Sequence, residues 1–175
     1  EIAAATSDRN LNYSNEGYPT VGPGVSWLNV AFDDSTWKSG ACPIGFGIGG
    51  LATEVNIQGK ALTYYVRKKF VASAANAAKT HALHLHLDYD DGFIAFVNGK
   101  EIDRKNIGAR NTFGYHDQPS YNGIMAGAPK DLYAPNASDY LVEGTNVIAV
   151  QVHNNDINNP GMVVSPDLYI AGSPE

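Results

Sequence analysis

The clearest pattern along the chain is an alternation of apolar and polar residues near its centre. Leu83, Leu85 and Leu87 are separated by polar residues, and this period of two predicts a β-strand that buries one of its faces. Asp90-Asp91-Gly92 then interrupts the alternation with residues that favour turns. The pattern therefore predicts a half-buried strand that ends at this turn.

A short apolar run and a hairpin signal follow the turn. Phe93–Val97 is apolar at every position, as expected of a central strand. Asn98-Gly99 predicts a tight hairpin, because both residues tolerate a positive φ. A return strand then begins at Lys100, so we interpret residues 81–104 as a three-stranded antiparallel meander.

Other strands are predicted on both sides of this region. Val147–His153 is mostly apolar and predicts a second central strand. Thr63–Val71 predicts a strand in which Arg67 lies among apolar neighbours. A buried guanidinium needs an acceptor, so we expect Arg67 to form a structural ion pair. Asp167–Ala171 is predicted to be a short final strand.

Three segments show no sustained period. Residues 1–23 are interpreted as an irregular N-terminal arm or a first strand. Ala72–Thr80 is too short to form a helix unaided and is predicted to be a loop or one helical turn. Lys105–Asn136 is predicted to be a long, ordered loop, because it contains aromatic residues that disordered segments lack. No repeat or linker is visible, so residues 1–175 are predicted to form a single domain.

Composition supports an all-β fold and restricts the partners. The 175 residues include 18 Gly, 9 Pro and 10 Tyr, and 17% are charged, which favours strands and turns. The net charge of −6 argues against binding to nucleic acid or to an anionic membrane surface. No apolar run approaches the ~18 residues of a membrane span. Abundant Asn, Gly, Ser and Tyr indicate a secreted or cell-surface protein. Cys42 is the single cysteine and is predicted to be a small packed residue.

Four motifs occur in a defined order along the chain. They are Phe32–Gly40 with Pro43–Gly47, then Tyr65–Phe70, then Asp90–Gly99, and finally Gly144–His153. Together they resemble a galactose-binding-like jelly roll, the β-sandwich of many carbohydrate-binding modules and of the sugar-binding domain of β-galactosidases. The set is also similar to accessory domains of large secreted bacterial proteins.

This resemblance implies an antiparallel β-sandwich and a non-catalytic module within a larger multidomain protein. It also implies binding of polysaccharide or oligosaccharide through loops or a sheet face, although loop residues do not carry over between members of such a fold. Members of this group often contain a structural calcium ion bound by loop carboxylates and carbonyls. The resemblance therefore implies calcium without identifying its ligands, and no cofactor is expected to be required.

Two groups of residues could support other chemistry. His84, His86 and Asp88 share one face of the predicted strand, and two imidazoles with a carboxylate can bind zinc. The polar outer face of a half-buried strand explains the same residues, and we favour this interpretation for both histidines. Asp90 and Asp91 are adjacent and are expected to point to opposite faces, which argues against an acid–base pair. No nucleophile elbow, phosphate-binding loop or dinucleotide fingerprint occurs, so we predict no enzymatic activity.

Carbohydrate sites combine aromatic rings, which stack on the apolar faces of sugars, with polar side chains that bind hydroxyl groups. Two clusters have this composition, and we expect either to lie at an end of the sandwich. The candidate ligand-binding residues are Tyr115, His116, Asp117 and Tyr121 in the long loop, and Asn154, Asn155 and Asp156 after the last long strand. The leading hypothesis is a module that anchors a secreted or cell-surface protein to polysaccharide. The alternative is a structural or protein-interaction domain of a surface adhesin without a sugar site.

Overall fold

Two β-sheets make up most of the structure. The computed structural model describes residues 10–13 and 26–171. The strands are β1 Asn10–Tyr13, β2 Lys38–Ala41, β3 Ile44–Phe46, β4 Thr53–Glu54, β5 Thr63–Ala72, β6 Leu83–Asp90, β7 Gly92–Val97, β8 Lys100–Lys105, β9 Lys130–Ala134, β10 Gly144–His153 and β11 Met162–Ile170. Helical segments in this part of the chain are α1 Ala74–Ala77 and the 3-10 turns Ser26–Leu28 and Ala137–Asp139. None of them is long and apolar enough to cross a membrane.

The strands form an antiparallel β-sandwich, as predicted. One sheet has six strands in the order β2-β1-β5-β10-β7-β8, and the other has five in the order β4-β3-β11-β6-β9. Neighbouring strands are antiparallel, except that β3 and β4 run parallel. In the six-stranded sheet β10 lies at the centre, and it pairs along its whole length with β5.

The main hydrophobic core lies between the two sheets. Leu83, Leu85 and Leu87 are fully buried in it, which confirms the predicted inner face of β6, and Ile148 and Val150 reach it from β10. Burial of one such side chain stabilises the fold by about 1.5–3 kcal/mol. The alternation along β6 therefore selects which face turns inward.

The predicted meander is wrong in one respect, because β6 and β7 belong to different sheets. β6 pairs with β11 and β9, whereas β7 pairs with β10 and β8. The chain thus crosses from one sheet to the other at Asp90-Asp91. The alternation indicates which face of a strand is buried, but it carries no information about the sheet in which the strand finds its neighbours.

The predicted hairpin at Asn98-Gly99 is confirmed. The φ angles of these residues are 50° and 79°, in the left-handed region that tight hairpins require. Asn98 also donates from Nδ2 to the Tyr140 carbonyl at 2.8 Å and accepts at Oδ1 from the Val147 amide at 2.9 Å. The turn is therefore also bonded to the chain around the start of β10.

The segments without a sustained period gave mixed outcomes. Ala72–Thr80 contains one helical turn, α1, as predicted. Lys105–Asn136 is not entirely irregular, because its last part forms β9, which pairs with β6. The final strand is longer than predicted, since it begins at Met162. Within residues 1–23 the structure describes the strand β1, and the remainder lies outside the described residues. Cys42 is buried, as predicted.

Candidate functional site

A cleft lies on the outer face of the six-stranded sheet. Phe96 and Gln151 alternate with core-facing neighbours on β7 and β10, so their side chains point away from the main core and towards this cleft. The cleft has a volume of about 290 Å³ and is called here the sheet-face cleft. Its lining residues are Trp27, Leu28, Phe96, Gly99, Glu101, Asn111, Thr112, Phe113, Gly114 and Gln151. Among these described residues, Glu101 alone is charged.

Arg67 fastens the segment that forms one wall of the cleft. Its side chain is fully buried, and its Nε donates to the Trp27 carbonyl at 3.0 Å. Its Nη2 donates to the Asn29 carbonyl at 2.8 Å, and its Nη1 forms an ion pair with Asp34. The structural ion pair predicted for Arg67 is therefore confirmed, and it positions residues 26–34 against the sheet.

Trp27 lies beneath the cleft as part of a second apolar cluster. It is 2% exposed and packs edge-to-face on Tyr65 and Phe96, with ring centroids 5.0 Å and 6.1 Å away. Trp37 and Ala149 belong to the same cluster. Both tryptophans are buried, and they pack on the outer face of the sheet and not in the main core. The Trp27 ring forms the floor of the cleft.

A β-bulge on β8 creates the opposite wall. The register between β7 and β8 shifts at Ala95/Phe96, which makes Ile102 the additional residue. Glu101 and Arg104 are three residues apart and would point to opposite faces of a regular strand, but the bulge brings them to the same face. Their side chains are 3% and 5% exposed, and Nε and Nη2 of Arg104 contact the two Glu101 oxygens at 2.9 Å and 2.8 Å.

This buried ion pair holds the first half of the long loop. Oε2 of Glu101 accepts from the Asn111 amide at 2.9 Å. Nη2 of Arg104 donates to the Thr112 carbonyl at 2.7 Å. Charge-assisted hydrogen bonds of this kind are about twice as strong as neutral ones, so the position of the loop depends on the pair.

Gly114 allows the loop to lie directly on the sheet. Gln151 donates from Nε2 to the Gly114 carbonyl at 3.1 Å. A Cβ atom at Gly114 would lie 2.5 Å from Cδ1 of Ile94, closer than any side chain permits. The absence of a side chain therefore brings residues 111–114 into position beside the cleft.

Two exposed rings stand at the edge of the cleft. Phe113 lines it and Tyr115 packs edge-to-face on Phe113, with centroids 4.9 Å apart. They are 50% and 60% exposed. Asn111 and Thr112, next to them, are exposed, but the Thr112 hydroxyl donates to the Ala109 carbonyl at 2.6 Å and accepts from Nη1 of Arg104 at 3.3 Å. The arrangement offers a ring surface for stacking beside the neutral, exposed side chain of Asn111.

The candidate residues of the long loop belong to two different places. Tyr115 is beside the sheet-face cleft, and in the same half of the loop His116 is half-buried and Asp117 is exposed. Tyr121 is 67% exposed, but its amide donates to the Asn106 carbonyl at 2.9 Å, at one end of the sandwich. The structure thus associates Tyr115 and Tyr121 with separate sites. Phe113 was not among the predicted ligand-binding residues, but it is the aromatic residue of the long loop that lines the sheet-face cleft.

The loop after β10 meets the second half of the long loop at that end. Asn154 is buried, and its carbonyl accepts from the Ser120 amide at 3.0 Å. Asn155 is half-buried and its amide donates to Oδ2 of Asp91 at 2.9 Å, whereas Asp156 is exposed. Asn154 therefore joins the two loops to each other, and Asn155 and Asp156 are the members of this candidate cluster that reach solvent.

A second pocket, of about 260 Å³, lies between these loops and is called here the acidic end pocket. It is lined by Gly47, Ile48, Asp90, Asp91, Gly123, Ile124, Met125, Asn159, Pro160 and Gly161. Asp91 is 1% exposed, and its Oδ1 accepts from the Ile124 amide at 2.6 Å. Its Oδ2 accepts from the Asn155 amide and from Nδ2 of Asn159, at 2.9 Å and 3.1 Å. One carboxylate thus binds both loops.

The adjacency of Asp90 and Asp91 predicted that their side chains would point to opposite faces. This prediction is wrong. Their carboxyl groups lie together, because the chain leaves β6 at this point and crosses to the other sheet. Oδ2 of Asp90 accepts from the Ala126 amide at 3.4 Å, whereas its buried Oδ1 has no hydrogen-bond partner among the described residues. Burial and the neighbouring charge of Asp91 raise the pKa of Asp90 to about 7.

The predicted outer face of β6 is only partly a surface. Nε2 of His84 and Nδ1 of His86 lie 2.8 Å and 2.7 Å from the same Oδ1 of Asp131. The prediction of an exposed ring is wrong for His84, which is 6% exposed because the Tyr133 and Tyr169 rings pack on it at 4.4 Å and 4.2 Å. His86 remains about 40% exposed.

The side chains present place limits on metal binding. Within residues 10–13 and 26–171, no group of three or more His, Cys, Asp or Glu side chains is arranged to hold a metal ion. The acidic end pocket offers two adjacent carboxylates, one with an unpaired buried oxygen. Such a donor set suits a hard cation that keeps part of its water shell, and not one that needs a complete protein cage.

Comparison with known proteins finds similarity of structure only. No protein-family model matches the sequence, and no curated protein matches it. A glycoside hydrolase family 2 member from Bacteroides cellulosilyticus superposes with a TM-score of 0.52 and 18% identity, over 91% of this chain and 20% of that one. The β-glucuronidase of Bacteroides uniformis gives 0.51 and 16%, over 84% and 14%. A further family 2 β-glucuronidase gives 0.51 and 15%, over 83% and 13%.

At these identities the likeness concerns the fold alone. The chain spans a fifth or less of the length of each of these solved structures. The β-sandwich described here therefore also occurs as one part of much larger chains.

Proposed function

We propose that this chain is a non-catalytic carbohydrate-binding module of the galactose-binding-like type, and that it binds glycan in the sheet-face cleft. The observation that carries the proposal is the exposed Phe113–Tyr115 ring pair beside the exposed side chain of Asn111. Sugar rings present apolar C–H faces between hydroxyl groups, so this pairing of rings with neutral polar groups matches both parts of a sugar.

The geometry favours binding over hydrolysis. Glycoside hydrolysis uses two carboxyl groups on either side of the scissile bond. Among the described residues that line the cleft, Glu101 carries the one carboxylate, and it is engaged by Arg104 and by the Asn111 amide. A module with this cleft would retain a glycan without cleaving it.

The solved structures of similar fold support the biological setting of the proposal. Two of them are named as β-glucuronidases, and the matching region is a small part of each. We infer by analogy that the chain is one module of a larger secreted or cell-surface protein, which it anchors to polysaccharide. The competing function is a structural or protein-interaction domain without a sugar site.

The test is a glycan array on the isolated chain, followed by titration calorimetry with the best ligand. Phe113→Ala and Tyr115→Ala should each weaken binding by roughly 1–3 kcal/mol, about ten- to a hundredfold. Both rings are at least half exposed, so the melting temperature should change little. Tyr133→Ala is the matched control, because Tyr133 is similarly exposed on the other sheet, and it should leave the affinity unchanged.

Two outcomes would redirect the assignment. If no glycan binds, the structural or protein-interaction function replaces the proposed one. If glycan binds but Tyr121→Ala or Asn155→Ala abolishes binding while the Phe113 and Tyr115 variants bind normally, the site is at the end of the sandwich.

A further inference from the structure

We propose that the acidic end pocket binds one hard divalent cation, calcium or magnesium, between the carboxylates of Asp90 and Asp91. This site is separate from the sheet-face cleft and does not depend on glycan binding. The two carboxylates are adjacent in the chain, buried, and lie together in a pocket of about 260 Å³. Two neighbouring buried negative charges repel each other, and a cation between them removes the repulsion.

The unpaired oxygen of Asp90 indicates where the cation binds. Asp90 is 8% exposed and lines the pocket, yet its Oδ1 has no hydrogen-bond partner among the described residues. Buried polar atoms are nearly always paired, and an unpaired carboxylate oxygen is a strong, unused acceptor. In contrast, Asp91 already accepts three N–H groups. Asp90 is thus the principal ligand and Asp91 the second.

The remaining ligands would be water molecules. Mg²⁺ commonly binds through one or two carboxylates and retains several waters, whereas Ca²⁺ takes about six to eight oxygen ligands, some of which can be waters. The pocket is rimmed by glycines and by Ile48, Met125 and Pro160, which add no further charge. This matches the finding that no group of three metal-binding side chains occurs among the described residues.

The cation would also reinforce the two loops that form the pocket. The backbone amides of Ile124, Ala126 and Gly127 donate to the carboxylates of Asp91, Asp90 and Asp88, respectively. Asn155 and Asn159 bind Asp91 from the other loop. Since all of these contacts except that of Gly127 involve the two proposed ligands, bound cation should raise the stability of the folded chain by mass action.

The experiment measures cation binding and melting temperature on protein dialysed against a chelator, at about pH 8, where free carboxyl groups are ionised. We expect one Ca²⁺ or Mg²⁺ per chain by titration calorimetry. At about 5 mM cation, above the dissociation constants of about 0.1–1 mM found in extracellular calcium modules, the melting temperature should rise by about 2–8 °C. Na⁺ at equal ionic strength should not reproduce the shift.

Asp90→Asn keeps the side-chain volume and removes the charge, so it should abolish both the binding heat and the shift. Glu143→Gln removes one exposed charge beside the first residue of β10 and should behave like the wild type. The proposal is overturned if the wild type shows no heat and no shift with either cation. It is also overturned if Asp90→Asn still binds the cation. A third contrary outcome is that Asp90→Asn melts at a higher temperature than the wild type in chelator and that added cation never removes this difference. That outcome would indicate a carboxyl pair that shares a proton. Because the wild-type measurement alone decides binding, a poorly folded variant does not prevent the test.

Discussion

The outer faces of the two sheets differ in what covers them. The face of the six-stranded sheet is covered by residues 26–37 and by the first half of the long loop, and charged groups such as Arg67 and Arg104 are buried beneath them. The face of the five-stranded sheet leaves Tyr133 and Asp131 exposed. The cleft occurs on the covered face, because the covering segments supply its walls.

The comparison shows how burial changes the role of similar contacts. Glu101 and Arg104 form an ion pair whose side chains are at most 5% exposed, whereas the hydrogen-bonded side chains of His86 and Asp131 are 40% and 53% exposed. When one partner of a buried pair is removed, the other is left as an uncompensated buried charge. When one partner of an exposed pair is removed, the other is hydrated. The covered face should therefore respond strongly to substitution and the open face weakly.

Arg104→Ala should produce the largest effect. It leaves the buried Glu101 carboxylate without its cationic partner and removes the hydrogen bond to the Thr112 carbonyl, so the free energy of unfolding should fall by about 3–5 kcal/mol. Denaturant unfolding measures this change. The matched control is Lys105→Ala, which removes an exposed pair with Asp103 and should change stability by less than about 1 kcal/mol. Adding Glu101→Gln to Arg104→Ala should recover part of the loss, and a lack of recovery would contradict the role given to the buried charge.

The second-largest effect should be a dependence of the free energy of unfolding on pH, caused by His153. Burial lowers the pKa of His153 to about 4, despite its hydrogen bond to the Gln118 carbonyl. In the unfolded chain His153 binds a proton with a pKa of about 6.5, whereas in the folded chain it stays neutral down to about pH 4. The stabilising contribution of the neutral ring is therefore present above pH ~6.5 and is lost as the pH falls towards about 4. The loss should be on the order of 3 kcal/mol.

The measurement compares wild type with His153→Gln, which does not titrate, by chemical unfolding in chelator between about pH 4 and 7. Asp90 has a raised pKa, and its ionisation lowers stability as the pH rises, which opposes the His153 effect in the wild type. Both proteins contain Asp90, so the difference between them isolates His153. A difference that stays constant with pH would refute the assignment.

His86→Gln should have the smallest effect. His86 is half-buried and bonded to Asp131, which is itself more than half exposed, so stability should change by under ~0.5 kcal/mol. His84→Gln is the informative neighbour, because His84 is covered by the Tyr133 and Tyr169 rings. It should cost more than His86→Gln in a thermal unfolding comparison, and equal effects would show that the stacking contributes little.

Local patterns predicted the fold class well. The Leu83–Leu87 alternation and Asn98-Gly99 each depend on neighbours in sequence, and both predictions are confirmed. The crossing between sheets at Asp90-Asp91 and the strand Lys130–Ala134 were not predicted. Partner choice is a long-range property, and a five-residue strand between irregular segments has too few positions to show a period.

The candidate site was harder to predict, because it depends on contacts between distant segments. The aromatic and polar character of the long loop was visible in the sequence. The position of Phe113 in the same cleft as Trp27 depends on the bulge at Ile102 and on the absence of a side chain at Gly114. Neither feature has a local signature, so the sequence indicated the chemistry of the site without its location.

The position of β11 also affects how the protein can be made. β11 lies in the middle of the five-stranded sheet, between β3 and β6, although it is the last of the described strands. A ribosome releases residues 44–134 long before residues 162–170, so β3 and β6 emerge without the strand that joins them. Until β11 arrives, their unpaired edges can pair with other chains. Synthesis of this module therefore includes an interval in which half of the sandwich cannot close, and a pause or truncation before Met162 should favour aggregation over folding.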